Sequence, residues 1–541
     1  MRTLFLLLTP FLLFAQLTLE DLKQAPKGHV RNFNIWQFMA QDISAKDADE
    51  AYSLVDKYNH KVYLRYVKKT KDEKVLQEYR CTKLKIKELM LEEDASCVNL
   101  ALSYSRAFSL KDTQRVLLAD TLKDQYKTKS DILLVMNEDK FIQALLKSGS
   151  KNYLKLFNGL GYKIRHKYFN IKLSSDIVNK LANERAFNQA IKYIVTDKKM
   201  GRMQKSILSL KPHELNDISY FFLALNALKF KATTKAMTYL SLAEKKAYYQ
   251  IHKDKSVFWM YQITKDKKFL QQLSASTDIN IYTLYANEKL NIEVKNYFSD
   301  LNLTNAVSKV NLSNPYVWEK VLDEIRAANK DETQKLLKKY NSKDDMALNA
   351  FIYAKSTKYH KHNYIMPYAK VTNDLSNDDK AILYSLAKQE SQFIPSALSR
   401  SYALGVMQMM PFLVKALAKG QKEKVSLNSM FDPYKNITYS KKHLKWLKKN
   451  VYHPLFIAYA YNGGLGFTTR HLKTGTFTKG SYEPFLSMEL MSNTESREYG
   501  KKVLANYIIY KKILGEEVKI SSLFKSLTNP LKTDKMRAEH L

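Results

Sequence analysis

Between residues 202 and 404 the chain has no glycine, and only Pro212, Pro315, Pro367 and Pro395 interrupt the stretch. Two hundred residues without glycine leave few places where the backbone can turn through positive φ, so this region is confined to helices and short polar turns. With only 14 glycines and 11 prolines in 541 residues, the whole chain is short of the turn chemistry that β-sandwiches, β-barrels and glycine-fingerprinted nucleotide folds need. The fold class is all-α. The length points to several domains or a long helical array, and the 45% hydrophobic, 26% charged composition is that of a folded globular chain.

Within the glycine-free region, Phe221, Leu225 and Leu228, then Ala236, Leu240, Ala243 and Ala247, recur at helical intervals. Ala224, Ala227 and Ala232 suit close stacking of paired helices, as in an α-solenoid. No consensus repeats at a fixed length, so an irregular helical domain is the neighbouring reading. The character changes near Tyr359-His360-Lys361-His362-Asn363 and Met366-Pro367, and nine of the 14 glycines fall at or after Gly405. The two histidines there read as solvated linker residues, not metal ligands.

Lys plus Arg number 88 against 53 Asp plus Glu, a net charge of +35 that favours a polyanionic partner. The compartment narrows the choice. Residues 1–15 have a basic start at Arg2, an apolar run from Leu4 to Phe14 and small Ala15 before Gln16, the layout of a secretory signal. A short buried helix fits less well because Pro10 interrupts it. Export removes nucleic acid as a partner and leaves an anionic wall polymer or membrane face. Beyond the signal no apolar run is long enough to span a membrane. Cys81 and Cys97, sixteen apart and the only cysteines, fit one local disulfide between neighbouring helices, with two buried thiols as the alternative. Nothing in the pattern calls for a metal or a cofactor.

Ser376 and Asp379 form a capping box opening a helix through Ala381, Leu383, Leu386, Ala387 and Phe393. Glu390, four residues after Leu386, falls on its apolar stripe, where desolvation raises a carboxyl pKa toward that of a proton donor at neutral pH. Alone, such a glutamate more often ends a helix beside a lysine. Downstream, however, come Ser399, the apolar run Leu404-Gly405-Val406-Met407-Gln408-Met409-Met410-Pro411, and Tyr459-Ala460-Tyr461-Asn462-Gly463-Gly464-Leu465-Gly466. Aromatic, amide and glycine groups of this kind suit a sugar-binding groove. The three methionines, taken as helical, read more as core than as contacts. Gln408, polar among apolar neighbours, is the better functional candidate.

The order Glu390-Ser391-x-Phe393-x-Pro395, Ser399, Gly405 to Pro411, then Ala460-Tyr461-Asn462-Gly463-Gly464 resembles the soluble lytic transglycosylases of bacterial peptidoglycan. Phe431-Asp432-Pro433 with Asn436-Ile437, and Glu495-Ser496-Arg497-x-Tyr499 with Val503-Leu504, resemble further segments of that family. The chain departs from it at Tyr402-Ala403, where members usually have Gly-Ala, at Ser440, where they have glycine, and at Gly463-Gly464, where they have Ala-Gly.

The resemblance implies an α-superhelical region over 16–350, a linker over 351–375, a lysozyme-like catalytic domain over 376–515 and a short tail over 516–541, after a signal at 1–15. It implies that Glu390 protonates the oxygen between N-acetylmuramic acid and N-acetylglucosamine, then takes the C6 hydroxyl proton to leave a 1,6-anhydro ring. Ser399, Met407, Gln408, Met410, Tyr461, Asn462 and Glu495 would bind substrate or hold Glu390. The periplasm is the implied compartment, peptidoglycan strands the implied substrate, and cell-wall synthesis enzymes are candidate partners. Most glycosidases use two carboxylates; here Asp374, Asp378 and Asp379 lie roughly three or four helical turns from Glu390. That spacing favours substrate-assisted chemistry over a hydrolytic muramidase. A non-catalytic wall-binding scaffold is the reading from another class.

Overall fold

The computed structural model describes residues 17–539 apart from 212 and 309, and the expected signal at 1–15 lies outside the described residues. Among the described residues there are thirty-four α-helices and one pair of two-residue parallel strands, Tyr297–Phe298 and His362–Asn363. The all-α expectation holds. No helix there is long and apolar enough to cross a membrane.

Contacts gather the chain into two compact units, each assembled from three stretches. One takes the residues up to Arg80, Thr304–Leu348 and Glu390–Lys442; the other takes Cys81–Leu303, Asn349–Gln389 and His443–Leu541. The first unit has a core of Leu22, Ile35, Phe38, Met39, Ala48, Ala51, Val62 and Tyr66, in which the rings of Tyr52 and Tyr66 stack at 3.9 Å. Three of its opening helices are short and capped, by Thr18, Ser44 and Asn59. Caps matter here because helices of six to nine residues are too short to be stable on propensity alone.

The second unit contains the glycine-free helices. Asp217–Lys229 packs on Thr233–Lys246 and that on Gln250–Thr264. Every residue from Ser219 to Leu228 is buried, so this helix is covered on all sides, as in stacked helix pairs. Ala236, Leu240 and Ala243 line the facing helix as their spacing requires. Cys81 and Cys97 are joined by a disulfide with their Cα atoms 5.0 Å apart, tying the end of helix Glu73–Cys81 to helix Ala95–Ala101.

Two segments read as irregular are built into this second unit. Tyr364 and Ile365 are buried, and His362 is partly buried with its Nε2 3.8 Å from Asp278, so it is not a solvated linker residue. Burial pushes the His362 imidazole pKa down. Nor are residues 516–539 a loose tail. Helix Ile520–Ser526 buries Ile520 and Phe524, and Arg537 pairs at 2.7 Å with the fully buried Asp534.

Candidate active site

The Asn377–Ser391 helix opens as its sequence predicts: Ser376 Oγ accepts from the Asp379 N–H at 3.1 Å. The two acidic residues of its first turn are committed elsewhere. Asp378 accepts from the Tyr507 hydroxyl, and Lys448 lies 3.3 Å from Asp378 and 2.6 Å from Asp379. Burial alone would raise the Asp378 carboxyl, but the Tyr507 and Lys448 contacts hold it below the usual range. Further along, the Lys388 ammonium donates to Asn363 Oδ1 at 2.7 Å and stands 4.6 Å from the Tyr364 ring centre; desolvation lowers its pKa to about 7.

The helix ends at Ser391, short of the expected Phe393, because Gln392 and Phe393 both take left-handed backbone angles, φ 52° and 69°. Glu390 therefore stands in the last turn. It is half-buried, not turned wholly into the core like Leu386 and Ala387. A carboxyl at such a boundary is partly desolvated yet open to a ligand, as a proton donor to a substrate must be.

The next residue fixes the surroundings of this turn: Ser391 Oγ donates to the Val406 carbonyl at 2.7 Å. Val406 belongs to the methionine-rich segment, which is a turn with isolated bridges Leu398 to Leu404 and Leu404 to Met409, not the helix its composition suggested. The helix begins only at Pro411. Side chains hold this irregular backbone. Asn436 Oδ1 accepts from the Met407 N–H at 2.8 Å, while Asn436 Nδ2 donates to the carbonyls of Leu404 and Met430, each at 2.9 Å. Gln408 Nε2 donates to the Ala397 and Gly405 carbonyls at 2.9 and 2.8 Å. Gly405 has φ 72°, and a Cβ there would overlap the Met430 carbonyl and stand 2.5 Å from Asn436 Nδ2, so only glycine fits.

Met407 is fully buried, whereas Met410 is half-buried. Ser399 Oγ accepts from the Ser401 and Ala403 N–H groups at 3.2 and 2.9 Å and shapes the loop before the turn. Tyr402, where the resemblance leads one to expect glycine, does adopt a glycine-like φ of 61°. Its buried ring lies 5.4, 5.3 and 5.3 Å from the rings of His29, Phe33 and Trp36. Burial pushes the Tyr402 phenol upward.

In the second unit, helix Pro454–Gly463 carries Tyr461 and Asn462 at its end. The half-buried Tyr461 ring sits 5.7 Å from His443, which stacks on Trp446 at the same distance. Burial lowers the His443 pKa, favouring the neutral ring. Asn462 Nδ2 donates to Glu495 Oε1 at 3.1 Å, and Asn462 Oδ1 accepts from Ser496 Oγ at 2.8 Å. Glu495 is exposed in the first turn of helix Thr494–Ile513, capped by Asn493.

A buried ionic cluster locks that helix. Lys501 lies 2.8 Å from Glu489 and 3.0 Å from Glu498, and Tyr282 donates to Glu489. Although burial would raise it, the Glu498 carboxyl is held well below its usual pKa by Lys501, Lys255 and Arg497. Gly500 admits the Tyr459 ring where any Cβ would overlap it.

The structure thus joins Asn462 to Glu495, and gathers Ser399, Met407 and Gln408 around the turn anchored on Ser391. Sequence reasoning assigned no role to Ser391, Asn436, Ser496, His443 or Trp446. For Asn436 the available signal was its place in the Asn436-Ile437 pair already read as resembling a family segment. Among the described residues no group of three or more His, Cys, Asp or Glu is placed to hold a metal.

Residues 367–482 match the family model described as Transglycosylase SLT domain. A curated relative, membrane-bound lytic murein transglycosylase C of Actinobacillus succinogenes, is 29% identical over 117 residues, covering 19% of this chain and 32% of its own. The chain thus matches about a third of that relative's length. Among solved structures, an inactive mutant of lytic transglycosylase Slt from Pseudomonas aeruginosa superposes with TM-score 0.50 at 15% identity, over 91% of this chain and 82% of the other. The 70-kDa soluble lytic transglycosylase in complex with bulgecin A gives TM-score 0.50 at 14% identity, over 93% and 89%. At such identities the likeness is one of fold. Residues 367–482 are thus similar to the transglycosylase SLT domain, in a chain whose all-α fold is similar to that of the soluble lytic transglycosylases.

Proposed function

We propose that the protein is a peptidoglycan lytic transglycosylase that cleaves the β-1,4 bond between N-acetylmuramic acid and N-acetylglucosamine, with Glu390 as its acid and base. One observation carries the reading. Within the segment similar to an SLT domain, a half-buried glutamate ends a capped helix and its neighbour Ser391 is bonded to a turn held by Asn436 and Gln408. Such an arrangement fixes the last helical turn that carries Glu390, while the half-buried carboxyl stays within reach of a ligand, the condition for general acid catalysis.

In this reading Glu390 donates its proton to the bridging oxygen as the muramyl C1–O bond breaks. The carboxylate then accepts the proton of the muramyl C6 hydroxyl as that oxygen bonds to C1. No water is consumed, and the product ends in a 1,6-anhydro ring. The commitment of Asp378 and Asp379 to Tyr507 and Lys448 supports a single-carboxylate mechanism. Met410 and Tyr461 offer half-buried side chains to sugar faces, and Asn462 and Glu495 offer polar groups to hydroxyls and acetamides. Ser399, Met407 and Gln408 act through the shape of the loop they hold. The periplasm is the compartment we assign, and partnership with cell-wall synthesis enzymes rests on that assignment alone.

Mass analysis of products released from purified sacculi tests the reaction. Anhydromuramyl ends, lighter by one water than reducing ends, are expected; reducing ends would identify a muramidase, and no release would leave a binding scaffold.

A further inference from the structure

Of the chain's four tryptophans, Trp259 and Trp318 are buried and Trp36 is half-buried, while Trp446 is 49% exposed. Its helix, Pro433–Leu447, commits Leu444 and Leu447 to the core and leaves Trp446 on the flank beside His443, three residues earlier. These two rings stack near-parallel, 5.7 Å apart and inclined by 18°, and His443 also lies 5.7 Å from Tyr461, at 54°. Tyr461 precedes Asn462, whose amide bonds to Glu495 and Ser496. His443, Trp446, Tyr461, Asn462, Glu495 and Ser496 all belong to the second unit. Single exposed apolar side chains are ordinary on a protein surface. An indole is larger than most, and this one prolongs, through His443, the residues already assigned to the sugar.

From this continuity we infer that Trp446 forms a further sugar subsite, on which an N-acetylhexosamine ring of the glycan strand stacks. The subsite rests on the proposed function and deepens it, extending the part of the site made by Tyr461, Asn462 and Glu495. A glucosamine-type pyranose carries its hydroxyl and amide groups around the rim and axial C–H groups on its faces, and an indole offers a flat, electron-rich face to receive them. The exposed part of Trp446 stays in water until a sugar displaces that water. Because His443 already stacks on the indole, little side-chain freedom is left to lose on binding. The ring C–H groups keep their bonds through the reaction, so the contact holds substrate and transition state equally and acts on KM, leaving kcat alone.

The test compares the full chain with Trp446→Ala and Trp446→Phe, in turnover of soluble glycan strands and in fluorescence titration with chitohexaose, a strand of N-acetylglucosamine that bears no peptide. Chitohexaose should change the parent's tryptophan emission saturably, and the change should vanish in Trp446→Ala, whose other tryptophans are buried or half-buried. The KM for glycan strands should rise about tenfold in Trp446→Ala, the scale of one lost aromatic stack, with kcat and melting temperature kept. Trp446→Phe, which retains a flat ring, should recover most of that loss. An unchanged KM in Trp446→Ala, an emission change that survives in it, or no saturable response in the parent overturns the subsite. So does a loss confined to kcat or melting temperature, which would mark a side chain that only supports the fold. If the parent releases no product from any strand, the functional reading fails while the titration still judges Trp446.

Discussion

The helices between residues 81 and 303 and the loops between 390 and 442 solve opposite problems. In the first region, regular backbone satisfies its own hydrogen bonds, and stability comes from apolar faces stacked helix on helix, as between Asp217–Lys229 and Thr233–Lys246. In the second, Gln392, Phe393, Tyr402, Gly405 and Gln408 all have positive φ, and side chains satisfy the backbone instead. Each non-glycine residue in that conformation costs about 1 kcal/mol, and the bonds from Ser391, Asn436 and Gln408 offset it. Stacked helices tolerate local damage without losing shape; a turn held by three polar side chains does not. Stability and activity should therefore respond differently in the two regions.

The largest effect is expected at Gly405. Gly405→Val brings a branched side chain against the Met430 carbonyl at a φ that valine avoids, at a cost of at least about 4 kcal/mol. Thermal melting and sacculus turnover should both collapse. The paired substitutions Asn436→Ala and Leu240→Ala sharpen the contrast. Each should cost about 3 kcal/mol, one by orphaning the Met407 N–H and the Leu404 and Met430 carbonyls, the other by opening a cavity among stacked helices. Turnover per folded molecule should fall only for Asn436→Ala. Equal losses in both would erase the distinction.

This contrast also explains how much of the molecule was legible in its sequence. Helix spacing and the missing glycines were enough for the stacked region, and Ser376 with Asp379 marked the start of the Glu390 helix. Its end was hidden because Gln392 and Phe393 turn left-handed without a glycine to signal it. The methionine run has helical composition, but the long-range bonds of Asn436 hold it as a turn, and local preference carries no trace of a partner some thirty residues away. Tyr402 takes glycine's conformation because its ring is covered by His29, Phe33 and Trp36, more than 360 residues earlier in the chain. The polar residues after 516 hid short helices whose few buried side chains, Ile520, Phe524 and Leu527, are too sparse to show a period.

Effects no larger than these probe the stacked region alone. Replacing Cys81 and Cys97 with serine removes a crosslink spanning 16 residues and should cost about 3 kcal/mol in the chain-entropy account. The melting temperature should drop, with turnover at 25 °C unaltered. Asp254 contributes a pH dependence on the order of 2 kcal/mol. Burial raises its pKa to about 6, although Gln250, Asn280 and Ser276 all donate to it and oppose the shift. Between about pH 4 and 6 the native carboxyl therefore keeps a proton that the unfolded chain has released, so stability falls as pH rises through that window. Denaturant titrations should show this slope in the parent and lose it in Asp254→Asn.

The central claim is that Glu390, next to the Ser391 that is bonded to Val406, moves the proton in cleavage. Glu390→Gln retains the shape of the side chain but has no proton to give, and its turnover of purified sacculi, measured beside its binding to the same sacculi, is the most direct test. Turnover should fall at least about a hundredfold with binding and melting temperature retained. A Glu390→Gln protein that cleaves at the parent rate would contradict the account.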